Sequence, residues 1–234
     1  MLDRMGRSWK DTILNPLERA IPQCLSPNAI TGISLLPGLA AAVLAGAALW
    51  GWAIAAFAVN RVLDGLDGIV ARARDTQTDF GGYLDIMADF AVYAAIPIGV
   101  WLGATDAGVS TVVADGRPAQ SAITTALPVV VLLAIFYLNA ASWMYLSALI
   151  ERRRATGPDQ TGPHESQEAG SSTPPVGHEF TTIVMPTGVV EGTETVVFFA
   201  LFLVLPDHYA TLFWIMAAAT AGGVVQRVLW ARRT

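Results

Sequence analysis

The sequence predicts an all-α integral membrane protein with six transmembrane helices and an N-terminal amphipathic helix at the membrane surface. Of its 234 residues, 53% are hydrophobic and only 14% are charged, whereas soluble domains usually carry about 25% charged residues. Apolar runs of about 20 residues, enough to cross a bilayer as a helix, recur along the chain. The basic residues are distributed as the positive-inside rule expects.

The first 25 residues are expected to form the surface helix, because their apolar side chains recur at steps of three or four residues. Those side chains are Leu2, Met5, Trp9, Ile13, Leu17 and Ile21. The six predicted spans cover about residues 30–50, 52–70, 82–102, 123–150, 182–205 and 210–230. The segment 151–180 is rich in Gly, Pro, Ser, Gln and Glu. That composition cannot bury a core, so the segment is predicted to be a flexible cytoplasmic loop.

Charge sets the expected orientation of the chain. With the N-terminus in the cytoplasm, Arg117 is the only one of the 14 Lys and Arg residues that falls on the outer side. Both termini are then cytoplasmic.

The start of the chain lacks an apolar core followed by a small-residue cleavage site, so no removable signal peptide is expected. Cys24 is the only cysteine, which excludes an intrachain disulfide. We expect a single membrane-embedded domain over residues 1–234.

Four aspartates interrupt spans two and three: Asp64, Asp67, Asp85 and Asp89. An aspartate at the bilayer centre costs about 2.5–3.5 kcal/mol on insertion scales, so it needs a partner or water. In helices, the first two aspartates share one face and the last two share another. The short turn between the spans can bring both pairs together near the cytoplasmic surface. Carboxylate oxygens favour Mg²⁺ or Mn²⁺ with phosphate oxygens completing the shell, and four of them could hold two ions.

The residues around the aspartates fit a ligand that carries phosphate. Glycines flank Asp67 and precede Asp85, and a glycine lets the backbone approach a phosphate or a nucleotide closely. Arg72 can pair with phosphate through its guanidinium fork. An ion-transport site, or a fold that binds metal without catalysis, is the alternative, but neither explains the glycines and Arg72.

The stretch D-G-L-D-G-I-V-A-R, eight intervening residues and G-G-Y-L-D-I-M-A-D resembles the signature of the CDP-alcohol phosphatidyltransferase family without a departure. The residues in register are Asp64, Asp67, Gly68, Ala71, Arg72, Gly81, Asp85 and Asp89. The chain looks most like the small bacterial inner-membrane members, which share an M-L-D-R-like start and an E-G-T-E-T stretch. The resemblance implies a multi-pass protein of the inner (plasma) membrane with its active site facing the cytoplasm.

The resemblance also implies a role for each residue of the motif. The implied ligands of two Mg²⁺ or Mn²⁺ ions are Asp64, Asp67, Asp85 and Asp89. Asp89 would in addition be the catalytic base that takes a proton from the acceptor alcohol. The implied CDP-binding residues are Gly68, Ala71, Arg72 and Gly81, with Asn28 and Thr31 near the phosphates. For Asn28 and Thr31, a simple helix start is the other interpretation.

The implied reaction transfers a substituted phosphate from a CDP-alcohol to a hydroxyl acceptor. The expected CDP-alcohol is CDP-diacylglycerol. The reaction would release CMP. It would be a step of phospholipid biosynthesis. The implied partners are the CDP-alcohol donor, the acceptor, membrane lipid and a second copy of the chain in a homodimer. No nucleic-acid partner is expected.

Span five suggests an acceptor pocket at Glu191, Thr193 and Glu194, since intramembrane acids are functional by default. Helix–helix hydrogen bonding is the alternative for them, and it is the preferred interpretation for Asn139 and Ser142 in span four.

Two other functions stay open. A prenyl-type diphosphate transferase also uses aspartates with Mg²⁺, but on separated helices. A divalent-cation carrier should hold its site near the midplane of the membrane. The sequence does not identify the acceptor alcohol.

Overall fold

The computed structural model describes residues 21–105, 119–155, 190 and 192–232, and the regular structure within these ranges is helical. The helices are α1 (Pro27–Gly46), α2 (Trp50–Ala73), α3 (Asp79–Ala104), α4 (Ala119–Ala155), α5 (Gly192–Val204) and α6 (Tyr209–Ala231). A 3-10 turn over Pro206–His208 joins α5 to α6. Most of the predicted surface helix lies outside the described residues. Its last part, 21–25, forms bends and turns instead of helix, because Pro22 has no N–H with which to continue one.

Four helices are long and apolar enough to cross a membrane. They are α1, α3, the Thr124–Arg152 part of α4, and α6 together with the turn before it. α2 has 24 residues, but Arg61, Asp64 and Asp67 interrupt its apolar sequence. α5 is apolar, and 13 residues of it are described. Within the described ranges the number of helices agrees with the predicted six, and their length and composition support four of them as membrane spans.

Two helix boundaries differ from the prediction. α1 ends at Gly46 and not at Trp50, which instead begins α2. The break occurs because Ala48 takes a positive φ of 56°, which a right-handed helix does not accommodate. α4 continues to Ala155, into the segment predicted to be a loop, because Glu and Arg are good helix formers. The rest of that loop, 156–180, and the start of the predicted span five lie outside the described residues.

Local hydrogen bonds hold the start of α1 and the turn between α2 and α3. Ser26 accepts a hydrogen bond from a first-turn amide of α1 at 3.2 Å. Thr78 does the same for α3 at 3.0 Å, and both are standard N-cap contacts. Arg74, just after α2, donates to the Leu25 carbonyl at 2.9 Å. The starts of α1 and α3 and the end of α2 therefore lie together.

The six helices share one apolar core. α1 packs chiefly against α2 and α3, and α4 packs against α6. Phe199 on α5 is fully buried and joins these groups. Its ring centroid lies 6.2 Å from Phe57 on α2, 5.2 Å from Tyr93 on α3 and 6.3 Å from Phe136 on α4. Aromatic pairs at these distances stabilise a core beyond the area they bury.

A polar pair crosses the interface between α4 and α6. Arg227, only 7% exposed, donates from Nη2 to Oδ1 of Asn139. The Nε of Arg227 has no hydrogen-bond partner in the part of the chain that the structure describes. The predicted packing contact of Asn139 is thus present, and its partner is a buried cation.

Small residues let α1 and α3 pack closely. Ala41, Ala42 and Ala45 of α1 are buried. A Cβ added at Gly99 of α3 would collide with the backbone carbonyl of Ala42, and one at Gly103 with that of Ala45. Small residues at such contacts are typical of membrane helices that associate through close packing.

We expect Gly99→Ala to destabilise the protein, although alanine is the better helix former. The added methyl group would push α1 and α3 apart, and overpacking of this kind costs about 1–3 kcal/mol. Gly222→Ala on α6 is the matched control, since a Cβ there has no atom within 4 Å. Thermal unfolding of both variants in one detergent gives the comparison. Equal melting temperatures for Gly99→Ala and the wild type would contradict the close contact.

Candidate active site

The C-terminal half of α2 and the N-terminal half of α3 carry the predicted site. On α2, the site residues recur at helical spacing along one face: Asp64, Asp67, Gly68, Ala71 and Arg72. On α3, Gly81, Asp85 and Asp89 recur at every fourth position, which also places them on one face. The short turn between the helices and their shared packing against α1 bring these faces to one end of the bundle.

A cavity of about 480 Å³ lies at this end, within the range of about 300–1,000 Å³ typical of small-molecule sites. The start of α1, the end of α2, the turn and the start of α3 form its walls. The predicted site residues that line it are Asn28, Thr31, Asp67, Gly68, Ala71, Arg72, Gly81 and Asp85. All six residues expected to bind CDP and two of the four aspartates therefore share one cavity.

Asp67 is the most buried of the four aspartates, with 6% exposure. Thr31 on α1 donates its hydroxyl to Oδ2 of Asp67 at 2.5 Å. The backbone N–H of Gly68 donates to the other oxygen, Oδ1, at 2.6 Å. A buried carboxylate needs such partners. Thr31 is thus more than part of a helix start, because it orients a carboxylate that lines the cavity.

Two helix N-termini lie at the rim of the cavity. α1 begins at Pro27 and α3 at Asp79, both residues line the cavity, and a helix N-terminus carries partial positive charge. Arg72, near the end of α2, also lines the cavity and is exposed. The two helix starts lie so close that a Cβ at Gly81 would be 2.9 Å from Oδ1 of Asn28. A larger residue at this position would therefore require the Asn28 side chain to move.

Arg61 holds the other two aspartates. Its Nη1 lies 3.4 Å from Oδ2 of Asp64, and its Nη1 and Nη2 donate to Oδ1 of Asp89 at 3.2 and 3.1 Å. Its Nε donates to Oδ1 of Asn60 at 2.8 Å. The guanidinium carbon also lies 5.6 Å from the centroid of the Phe57 ring, a cation–π distance. Arg61 therefore links α2 to α3 inside the bundle.

Asp89 has a second partner on its own helix. The Tyr93 hydroxyl donates to Oδ2 of Asp89 at 3.3 Å, so each carboxylate oxygen of Asp89 is bound by a different side chain. The Tyr93 ring packs edge-on against Phe199 of α5. The predicted base is thus oriented by the guanidinium on one side and by a phenol fixed in the core on the other.

The expected grouping of four aspartates is present as two pairs. Asp67 and Asp85 line the cavity, whereas Asp64 and Asp89 are bound by Arg61. Among the described residues, no three His, Cys, Asp or Glu side chains are grouped so as to hold one metal ion. The donor chemistry nevertheless fits a hard divalent cation, because two carboxylates from different helices reach the same cavity.

The predicted acceptor residues are only partly described. Glu191 lies outside the described residues. Thr193 and Glu194 lie in the first turn of α5 and are half-buried. Neither lines the cavity. They lie on α5, the helix whose Phe199 ring contacts Tyr93 of α3.

Sequence reasoning missed Arg61 and Tyr93. Arg61 had a recognisable signal, because a cation three residues before Asp64 in an apolar helix is a natural i, i+3 partner. Its contact with Asp89 had none, since that contact depends on how α2 and α3 pack. Tyr93, four residues after Asp89, resembles any aromatic residue of a membrane span.

Comparison with known proteins identifies the family. The sequence profile of the CDP-alcohol phosphatidyltransferase family matches residues 24–141, a range that includes every residue that lines the cavity. The chain is also similar to inner membrane protein YnjF of Escherichia coli (strain K12). The two are 32% identical over 223 residues, which cover 93% of this chain and 89% of YnjF. The chain belongs to the CDP-alcohol phosphatidyltransferase family.

Proposed function

We propose that the protein transfers a substituted phosphate group from a CDP-alcohol, most readily CDP-diacylglycerol, to a hydroxyl acceptor and releases CMP. Membership of the CDP-alcohol phosphatidyltransferase family favours a phosphotransferase function over the two alternatives, a prenyl-type transferase and a cation carrier. The observation that carries the proposal is the cavity itself. One space of about 480 Å³ is lined by acidic residues, by Arg72 and by two helix starts, a combination suited to a diphosphate together with a cation.

In the proposed reaction the acceptor hydroxyl oxygen attacks the β-phosphorus of the donor. The bond from that phosphorus to the oxygen bridging the two phosphates breaks, and CMP leaves with the electron pair. Asp89 takes the proton of the hydroxyl group, and a phosphodiester forms. The contacts of Asp89 with Arg61 and Tyr93 support this role, because a positioned base is effective only when its carboxylate is oriented toward the proton.

Asp67 and Asp85 are the residues that would hold a Mg²⁺ or Mn²⁺ ion in the cavity, with Asp64 and Asp89 next along the same helix faces. Such an ion, when bound, neutralises the charge that develops on phosphate oxygens during transfer. Arg72 and the starts of α1 and α3 would bind the remaining phosphate oxygens. Gly68, Ala71 and Gly81 leave room for the nucleotide at the wall.

The proposed setting is a bacterial inner membrane, where the protein would take part in phospholipid synthesis. The similarity to YnjF, which is named an inner membrane protein, supports this location. We propose further that the cavity faces the cytoplasm, where CMP is released, since the turn between α2 and α3 is on the inner side in the positive-inside arrangement. A homodimer is proposed from the family resemblance.

The protein purified in detergent should release CMP from CDP-diacylglycerol when a suitable acceptor is present. Glycerol phosphate, inositol, inositol phosphate and serine are the acceptors to compare. Chelation of divalent cations should abolish release, and Mg²⁺ or Mn²⁺ should restore it, because the carboxylates alone would repel the diphosphate. Folded protein that releases no CMP from any CDP-alcohol would contradict the proposal.

Asp89→Asn should lower the turnover number by about 100-fold or more, the contribution expected of a general base. Asp75→Asn is the matched control, because Asp75 is exposed in the turn after α2. Initial rates at saturating donor and acceptor provide the measurement. Full activity of Asp89→Asn would exclude Asp89 as the base.

Thr193→Val and Glu194→Gln test the proposed acceptor pocket. If these side chains hydrogen-bond the acceptor, each change should raise the KM for the acceptor by about ten-fold, the effect of one lost bond to a polar ligand. The KM for the CDP-alcohol should not change. Asp207→Asn, an exposed acid in the 3-10 turn, is the control. A rise in the donor KM alone would place the residues at the CDP group instead.

A further inference from the structure

Arg227, near the end of α6, is a buried cation that no acid balances within the described part of the chain. It is 7% exposed, and its hydrogen bond runs from Nη2 to the neutral amide oxygen of Asn139. Its Nε is buried without a partner among the described residues. Arg61, by contrast, contacts two carboxylates. Because a buried charge without a counter-charge is costly, Arg227 is suited to bind an anion that is not part of the described chain.

A second polar group on the same face of α6 also lacks a partner. Thr220 is 3% exposed, and its hydroxyl has no hydrogen-bond partner within the described ranges. It precedes Arg227 by about two helical turns, so both side chains lie on one face of α6. Gly223, also buried, lies between them and adds no side chain. Buried polar groups are normally hydrogen-bonded, so this face has unused capacity to bind a polar ligand.

The aromatic rings around Phe199 relate Asn139 to the proposed base. The Tyr93 and Phe136 rings both pack against Phe199. Asp89 comes about one turn before Tyr93 on α3, and Asn139 about one turn after Phe136 on α4. In the proposed six-span topology α3 and α4 run in opposite directions. Both polar residues therefore lie on the same side of the rings, toward the end of the bundle that holds the CDP cavity.

Arg227, which binds Asn139, is thus placed on the same side of the rings as Asp89, and it does not line the CDP cavity. Thr195 of α5, 8% exposed, lies one turn before Phe199 and belongs to the same polar layer. An acceptor must bring its hydroxyl group to the proposed base from a space that the nucleotide does not fill. This layer offers such a space, with a carboxylate on α3 and an unbalanced cation on α6.

We propose that Arg227 binds an anionic group of the acceptor alcohol, a phosphate or a carboxylate, while the hydroxyl group of the acceptor meets Asp89. This inference rests on the proposed phosphate transfer and deepens it, because it names the chemical class of the acceptor. A guanidinium pairs with phosphate or carboxylate through its planar fork. A neutral alcohol would leave the charge of Arg227 unbalanced.

The first test compares acceptors with and without an anionic group, using the full-length protein in detergent and CDP-diacylglycerol. The pairs are glycerol phosphate with glycerol, inositol phosphate with inositol, and serine with ethanolamine. The first two pairs test a phosphate and the third a carboxylate. In at least one pair the anionic acceptor should support CMP release with a kcat/KM at least about ten-fold higher than its partner. No preference for the anionic member in any pair would overturn the inference.

The second test changes Arg227. Arg227→Gln should raise the KM for the preferred anionic acceptor at least about ten-fold and leave the KM for CDP-diacylglycerol unchanged. Arg227→Lys, which keeps the charge, should retain the preference for the anion. Arg232→Gln, an exposed residue just after α6, controls for net charge. Arg227→Gln that melts at the wild-type temperature and keeps the wild-type acceptor KM would reject the role of Arg227. If Arg227→Gln does not fold, the acceptor pairs and Arg227→Lys decide.

Calorimetric binding of the three anionic acceptors without a donor separates this inference from the proposed function. Wild-type binding that Arg227→Gln weakens at least about ten-fold, without CMP release from any donor, would support the anion site and reject the transfer reaction. Release of CMP only with acceptors that lack an anion would leave the transfer reaction standing and reject the anion site. Neither binding nor release would contradict both.

Discussion

The negative charge of a carboxylate inside an apolar helix bundle must be balanced by hydrogen bonds or by a cation. In this protein, the contacts that do so fix the positions of the helices at one end of the bundle. Asp67 is bound by Thr31 of α1, and Asp89 of α3 is bound by Arg61 of α2. Each of these bonds joins two helices. An unpaired buried charge would cost several kcal/mol, so α1, α2 and α3 have little freedom to separate. The small residues at the other end of α1 and α3 permit the same close approach.

The same contacts give the cavity its chemical character. The helix starts and Arg72 supply positive potential at the rim, while Asp67 and Asp85 supply negative charge on the walls. A neutral ligand would gain little from such a site. A diphosphate accompanied by a divalent cation matches both charges at once. The ring contacts of Phe199 on α5 with Phe57 and Tyr93 connect this region to the later helices, where the acceptor alcohol is proposed to bind.

Much of the fold could be predicted from the sequence, because long apolar runs and basic residues follow the dimensions and charge of a membrane. The family resemblance implied that Gly68, Ala71, Arg72 and Gly81 belong to one site, and all four line one cavity. What could not be predicted depends on packing between helices. The end of α1 depends on the conformation of Ala48, and the separation of the aspartates into two pairs depends on where the Arg61 side chain comes to rest.

The central claim is that a CDP group binds in this cavity beside a divalent cation. The most direct test is ³¹P NMR of CDP with the purified protein and trace Mn²⁺, whose unpaired electrons broaden the signals of nearby phosphorus nuclei. The wild type should broaden the signals of both CDP phosphates more strongly than Mn²⁺ does in free solution, and Asp85→Asn should abolish this extra broadening. Broadening that is unchanged in Asp85→Asn, or absent from the wild type, would contradict the central claim.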